Sequence, residues 1–138
     1  MNVIVAHDDQ GGIWVTGLHG SVGPALGGPA TEQWAALHDK HRAKLENRFR
    51  LLCTADSPLD YTKIRLVKGG PEGIYEIKVS NPPYRAFAFL ERGSTWKVTH
   101  IDLKPAKSRV IEEARRAARI RSDHQRRIRE DGQNTAER

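Results

Sequence analysis

The sequence has one cysteine, one methionine and no long apolar run. Cys53 alone excludes an intramolecular disulfide framework and any zinc cage built on cysteines. No stretch approaches the ~18–20 consecutive apolar residues of a membrane helix. The N-terminus lacks a basic segment followed by an apolar one, and Asp8-Asp9 comes early, so neither membrane insertion nor export is expected and the expected location is the cytoplasm. Apolar residues make up only 38% of the 138, but they are clustered and periodic. A chain of this length can bury roughly two thirds of its unfolded surface, so a modest core in one domain is the expectation. The glycines of GLHGSVGPALGG at 17–28 match neither a phosphate-binding loop nor a dinucleotide fingerprint, which leaves nucleotide cofactors unsupported.

Acidic residues are scarce in one place only. Residues 1–103 carry 12 Lys and Arg against 11 Asp and Glu, whereas residues 104–138 carry 11 against 6, so nearly all of the +6 net charge lies at the C-terminal end. Such a gradient points to an anionic partner, with nucleic acid the leading candidate, against the plain alternative of a solvated helix face.

The organisation reads β, helix or helix pair, β meander, helix: an α+β domain over 1–130 with a flexible tail at 131–138. Val3-Ile4-Val5 and Ile13-Trp14-Val15 are short strand-like runs, separated by turn residues at 7–12. Residues 17–29, with five glycines and two prolines, read as an irregular loop. Thr31 is placed to cap a helix, and Trp34, Leu37, His41, Leu45, Phe49 and Leu52 share one helical face, with a break allowed near His38-Asp39-Lys40. The helix should stop before Asp56-Ser57-Pro58. Beyond it the period becomes two: Lys63–Val67, extending to Lys68, then Ile74–Ser80 with one apolar and one polar face, Tyr84–Leu90, and Thr95–Leu103, joined by short turns. Pro105 can sit in the first turn of a last helix whose apolar stripe fades beyond about Arg121.

The informative polar residues lie on this meander. A sheet face carrying Lys78, Arg85 and His100, rimmed by Lys68, Lys97, Lys104 and Lys107, suits a phosphodiester, with Arg109, Arg115 and Arg116 as further RNA contacts on the last helix. Arginine binds phosphate through two donors, lysine supplies a point charge, and histidine titrates near neutral pH. RNA can be cleaved without metal when its own 2′-hydroxyl attacks the adjacent phosphate, given a base, cations for the charge on phosphorus and an acid for the leaving oxygen. Each feature also has a plain reading. Lys78 and Lys97 can be solvent-facing strand residues, Glu76 can be a structural partner for Arg85, and His100 can be a packed strand histidine. His38 and His41 have a metal-compatible spacing but no third-ligand motif, and Cys53 reads as a small buried hydrophobe, so no metal or other cofactor is expected.

Residues 62–120 resemble the RelE/HigB superfamily of bacterial and phage toxins. The resemblance rests on the strand Gly-Ile-Tyr-Glu-Ile-Lys-Val at 73–79, on Tyr-Arg-Ala-Phe-Ala-Phe at 84–89, and on His100, Lys104, Lys107 and Ile-Glu-Glu-Ala at 111–114; His41-Arg-Ala-Lys-Leu45 precedes them. It implies a small α+β toxin with a twisted antiparallel sheet packed by N-terminal helices. Such toxins cleave mRNA in the ribosomal A site without metal and are neutralised by a cognate antitoxin, often one with a helix-turn-helix domain. The resemblance puts Lys78 and Arg85 on the basic sheet residues that handle phosphate. It puts His100 and Lys104 on a His-Gly-Phe-x-Lys-Lys pattern, with Lys107 on the next basic position. Here Ile101-Asp102 replaces Gly-Phe, Pro105 the second lysine, and Ser108-Arg109 a Thr-Pro. Ile111 stands where RelE has a tyrosine, and a catalytic arginine of that branch aligns near Pro105. These departures imply either weak activity or chemistry that rests on lysine and histidine in place of arginine and tyrosine. The related ParE branch inhibits DNA gyrase with the same fold, so fold alone leaves the target open.

Overall fold

Thirteen residues of glycine-rich chain between two hydrophobic segments set the topology. In the computed structural model, which describes residues 4–5, 12–54, 64–80, 83–103 and 106–136, strands β1 (Ile4–Val5), β2 (Val15–Gly17) and β3 (Gly20–Pro24) precede helices α1 (Ala30–Ala36) and α2 (Asp39–Thr54). Strands β4 (Ile64–Leu66), β5 (Ile74–Val79), β6 (Tyr84–Leu90) and β7 (Thr95–Asp102) follow, and a 3-10 turn at Lys107–Arg109 leads into α3 (Val110–Ala136). The strands form one seven-stranded sheet in the order β1-β2-β3-β7-β6-β5-β4. Neighbours β4 to β7 pair antiparallel, as do β1 to β3. β3 runs parallel to β7, which makes the sheet mixed.

That parallel pair corrects the reading of 17–29 as an irregular loop. Five of those residues are strand β3, placed mid-sheet with Val22 fully buried. Turn composition is misleading here because the glycines serve close packing. A Cβ on Gly23 would collide with the carbonyl oxygen of Gly12, and one on Gly27 (φ +77°) with the Asp123 carboxylate. Leu18 and His19 form the turn that leads into β3, and Ala25 to Pro29 connect it to α1.

The helical segment divides, as the polarity at 38–40 allows. Leu37 turns extended (ψ 142°), and Arg42 donates to the carbonyls of Trp34 (3.2 Å), Ala35 (3.2 Å) and Leu37 (2.8 Å), so the end of α1 is satisfied from α2. Thr31 is not the cap. Pro29 holds the cap position and the helix starts at Ala30, two residues earlier than a Thr31 cap places it, with Gln33 N–H donating to Pro29 O at 3.0 Å. α1 and α2 cover one face of the sheet: Trp14 stacks on Trp34 at 4.6 Å between ring centres, Trp34 on Phe49 at 5.5 Å, and Leu45, Leu52, Ile77, Val79, Ala86 and Val98 close the core around them. The spacing read from the sequence thus carries Trp34, Leu37, Leu45, Phe49 and Leu52 into the core.

α3 covers the opposite face, where Ala114 and Ala117 lie against Ile74, Phe87, Phe89 and Val67. Strand β5 keeps the apolar and polar faces that its alternation suggests, but α3 buries much of the polar one. Ile74 and Glu76 on its α3 side are buried as fully as Ile77. Helix α3 also outlasts its expected limit, since it continues to Ala136 through part of the supposed tail. Buried His124 extends its inner stripe, accepting from Leu26 N–H at 2.9 Å and donating to the Glu91 carboxylate. The turn at 7–11, the stop at Asp56–Pro58, Lys104, Pro105 and residues 137–138 lie outside the described residues. Among those described, no helix is long and apolar enough to cross a membrane.

Cys53 sits in the first core with no exposed surface, its thiol directed at Val15 O (3.7 Å), and burial pushes its pKa up to about 11. At pH 8 the native protein is expected to resist a thiol-specific reagent such as dithionitrobenzoate for as long as it stays folded and to react at once in denaturant. Stoichiometric labelling of native protein at the denatured rate would contradict this burial.

Candidate functional site

The polar face of β5 meets its neighbours in two parallel rows. One row crosses four strands, Arg65, Glu76, Phe87 and His100; the next contains Lys78, Arg85 and Asp102. Register alone brings these residues together, because cross-strand neighbours in an antiparallel pair face the same side.

At the β4–β5–β6 end of the rows, one carboxylate is surrounded by cations. Glu76 is 1% exposed. Its Oε1 accepts from Arg65 Nε and lies 3.8 Å from Lys78 Nζ, and its Oε2 is 3.0 Å from Arg85 Nε in an ion pair without hydrogen-bond alignment. Arg85 is itself 6% exposed, and its Nη1 has no hydrogen-bond partner among the described residues. Three cations share one negative charge, so the cluster keeps a positive surplus. Desolvation pulls the Lys78 ammonium below its ordinary pKa of 10.5, and Arg65, Arg85 and Lys107 push it the same way against the opposing pull of Glu76. Lys78 remains partly exposed, with 27% of its side chain in solvent.

Beside the cluster a groove of about 760 Å3 opens between β4 and the start of α3, lined by Arg65, Leu66, Val67, Lys68, Glu76, Lys107, Val110 and Ile111. Lys68 and Lys107, both exposed, thus converge on the same opening as Arg65. The sequence reading missed Arg65. Its signal was available, since a cation on β4 in register with Glu76 is what a buried carboxylate needs.

His100 belongs to a different cluster. It has no exposed surface, stacks on Phe87 (5.0 Å between ring centres, 5° between planes), and its Nε2 lies 2.7 Å from Glu113 Oε2 on α3. Its Nδ1 is 3.1 Å from Thr99 Oγ1, which also lies 3.1 Å from Phe87 O. The single hydroxyl proton of Thr99 can be donated to only one of these acceptors. The charges acting on His100 are Arg116, Glu113 and Asp102, a set that shares no member with the charges acting on Lys78. His100 therefore ties β7 to α3 and offers no ring nitrogen to a substrate in this arrangement. Glu113, the residue that occupies it, was not singled out in the sequence.

Burial holds the His100 pKa below its ordinary 6.5, opposed by the hydrogen bond that its ring donates to the Glu113 carboxylate. Unfolded imidazole gains a proton near 6.5, whereas the folded ring resists it to lower pH. Stability contributed by the neutral ring is therefore complete above 6.5 and is lost as pH falls below it towards the lowered folded-state pKa. Urea midpoints at pH 7.5 and 5.0 should show a larger fall for the wild type than for His100→Gln; an equal fall in both would remove His100 as the source.

Of the remaining expected contacts that the structure describes, Arg116 alone borders a cluster, that of His100, through Glu113. Lys97 pairs in register with Phe89 and Gly23, toward the far end of β7 from Asp102. Arg109, Arg115 and Arg116 are exposed at the start of α3 and along it, with Arg116 Nη1 3.9 Å from Glu113 Oε2. Further along, Asp123 is held below its ordinary pKa by hydrogen bonds from Arg126 and then Arg127, so part of the distal charge is paired internally. Lys104 lies outside the described residues. No group of three or more His, Cys, Asp or Glu among the described residues is placed to hold a metal ion. Comparison with known proteins adds nothing to the site: no family model, no curated protein and no solved structure matches this chain.

Proposed function

We propose that this chain is the toxin of a toxin–antitoxin pair, a RelE/HigB-like endoribonuclease that cleaves ribosome-bound mRNA without metal and so inhibits translation. The observation that carries the reading is Lys78. It is a partly exposed amine with a lowered pKa, set among Arg65, Arg85 and Lys107 above a buried carboxylate. An amine in such a setting can take the proton of a ribose 2′-hydroxyl. The 2′-oxygen then attacks phosphorus, the bond to the 5′-oxygen breaks, and Lys107 is the candidate donor to that leaving oxygen. The cations of Arg65 and Arg85 offset the charge that builds on the phosphoryl oxygens. His100 enters this scheme only through Glu113, as a residue that positions α3. The resemblance in 62–120 supplies the ribosome, the mRNA and a cognate antitoxin, of the helix-turn-helix kind, as the expected partners.

Inducible expression followed by mapping of mRNA 5′ ends tests the reading. It expects growth arrest and cleaved messages bearing 2′,3′-cyclic phosphates, both suppressed by coexpression of an antitoxin; intact mRNA during growth arrest would overturn it. The burial of His100 and Arg85 favours a second reading, a ParE-like gyrase inhibitor or a non-enzymatic binding module on the same scaffold. Gyrase inhibition predicts a DNA-damage response with intact mRNA in the same experiment.

A further inference from the structure

We infer that Arg48 is a positioning residue for Lys78: together with the Tyr84–His41 pair it clamps the end of the β5–β6 ladder to α2, and so fixes the backbone that carries the Lys78 amine and the Arg85 guanidinium. The inference rests on the proposed phosphodiester chemistry at Lys78 and names what holds that amine in place.

The need for a clamp follows from where the two cations sit. Lys78 lies opposite Arg85, and the next pair, Val79 with Tyr84, closes the ladder. The described pairing of β4 with β5 ends at Ile64 opposite Ile77, one residue short of Lys78. The chemistry is thus carried at the ends of both strands, and chain ends of this kind are where local opening is cheapest. A proton passes from a hydroxyl to a base only over a hydrogen-bond distance of roughly 2.6–3.2 Å. The lysine stem is itself flexible, so an unsteady backbone beneath it would spread the amine over a wider range than that.

The restraint comes from the opposite side of the sheet. His41 and Arg48 are seven residues apart on α2, two turns along one helical face and roughly 10 Å along its axis. Arg48 Nε donates to the Lys78 carbonyl oxygen at 3.1 Å. The Tyr84 hydroxyl is hydrogen-bonded to His41 Nδ1, with the two ring centres 4.8 Å apart. One contact therefore holds Lys78 itself. The other holds the residue that precedes Arg85 in the chain and faces Val79 across the ladder. Lys78 and Arg85 turn their side chains to Glu76, while Val79 and Tyr84 pack into the core that α2 covers. The helix thus grips both strands from behind and leaves the Glu76 side unobstructed. Packing does not require these contacts, because Leu45, Phe49 and Leu52 already bury α2 in the core. What Arg48 and His41 add is precision at the strand ends.

Titration of Lys78, followed through the side-chain carbon shifts of isotope-labelled lysine, reads the clamp without reference to cleavage. In the wild type, desolvation and the neighbouring cations hold this amine below 10.5. Arg48→Met should move its titration up towards that ordinary value, as the freed strand end lets the amine reach solvent. Arg48→Lys keeps a donor for the carbonyl and should restore much of the wild-type curve. In ribosome complexes programmed with a defined mRNA, Arg48→Met and Tyr84→Phe should each lower kcat by about ten- to a hundredfold with KM unchanged, the scale of a misplacement of about 1 Å. Arg42→Met is the matched control, since it removes hydrogen bonds that run from α2 to the end of α1. It should lower the urea midpoint and leave the Lys78 titration and kcat as in the wild type. A wild-type titration and kcat in Arg48→Met overturns the inference. So does an equal change of both in Arg42→Met, which would reduce the effect to general stability. The proposed activity is judged separately. A titration that moves in Arg48→Met while the wild type cleaves no mRNA keeps the clamp and removes the activity, whereas cleavage by wild type and Arg48→Met at one rate keeps the activity and removes the clamp.

Discussion

Lys78→Met is expected to reduce cleavage of ribosome-bound mRNA by about a hundred- to ten-thousandfold, the usual worth of a positioned acid–base group, with the urea midpoint almost unchanged. The stability half follows from exposure: 27% of the side chain is in solvent, and its ammonium is the most distant of the three cations on Glu76, at 3.8 Å. The activity half follows from charge. Desolvation and the neighbouring cations lower its pKa, so at a given pH more of it is the free amine than for an ordinary lysine. A free amine is what accepts the 2′-hydroxyl proton. The wild-type rate should therefore rise with pH towards the lowered pKa and then level off. Lys78→Arg separates the roles, because guanidinium keeps the charge and the phosphate contact but has no basic form in the accessible range. It should bind oligonucleotide like the wild type, cleave as poorly as the methionine variant, and show no rise with pH. Wild-type cleavage by Lys78→Met would remove this residue from the chemistry.

Glu76→Gln should be the most damaging single change in the polar network, costing about 3–5 kcal/mol, the typical result of removing one partner from a buried pair. The glutamine leaves Arg85, 6% exposed, without its countercharge, and sets Arg65 and Lys78 against it. The urea midpoint reports the loss. Inorganic phosphate, compared with chloride at equal ionic strength, should restore more stability to Glu76→Gln than to the wild type, since an oxyanion can take the place of the missing charge. The double variant Glu76→Leu, Arg85→Met removes both charges and should recover much of the loss, because matched apolar groups need no counter-charge. If Glu76→Gln unfolds at the wild-type urea concentration, the carboxylate does not hold the cluster together.

These two residues also mark the boundary between what was legible and what was not. Lys78 and Arg85 could be picked out as strand residues of unusual charge, and the α+β class, the C-terminal helix and the division of the helices near His38 followed from period and polarity. Glu76 was visible only as a possible structural partner for Arg85. Its central position depends on β4 supplying Arg65 from the other side, a pairing between strands that are separated by the turn at Gly69–Gly73. His100 shows the opposite outcome. A histidine at the end of a strand among lysines is compatible with chemistry, yet α3 lies across it and Glu113 occupies its Nε2.

The sequence by itself determined most of the local elements of this protein, its positive C-terminal quarter and the residue types suited to a phosphate. Periodicity and composition act between neighbours in the chain, and these features are local. Only the tertiary structure decided that the glycine-rich segment enters the sheet as β3, that α3 buries the face carrying His100, and that Arg65, Glu76, Lys78, Arg85 and Lys107 meet beside one groove. Those outcomes depend on strand register and on which helix covers which face. Both are set by the total fit of two cores on either side of one sheet, a property that no short stretch of the chain contains.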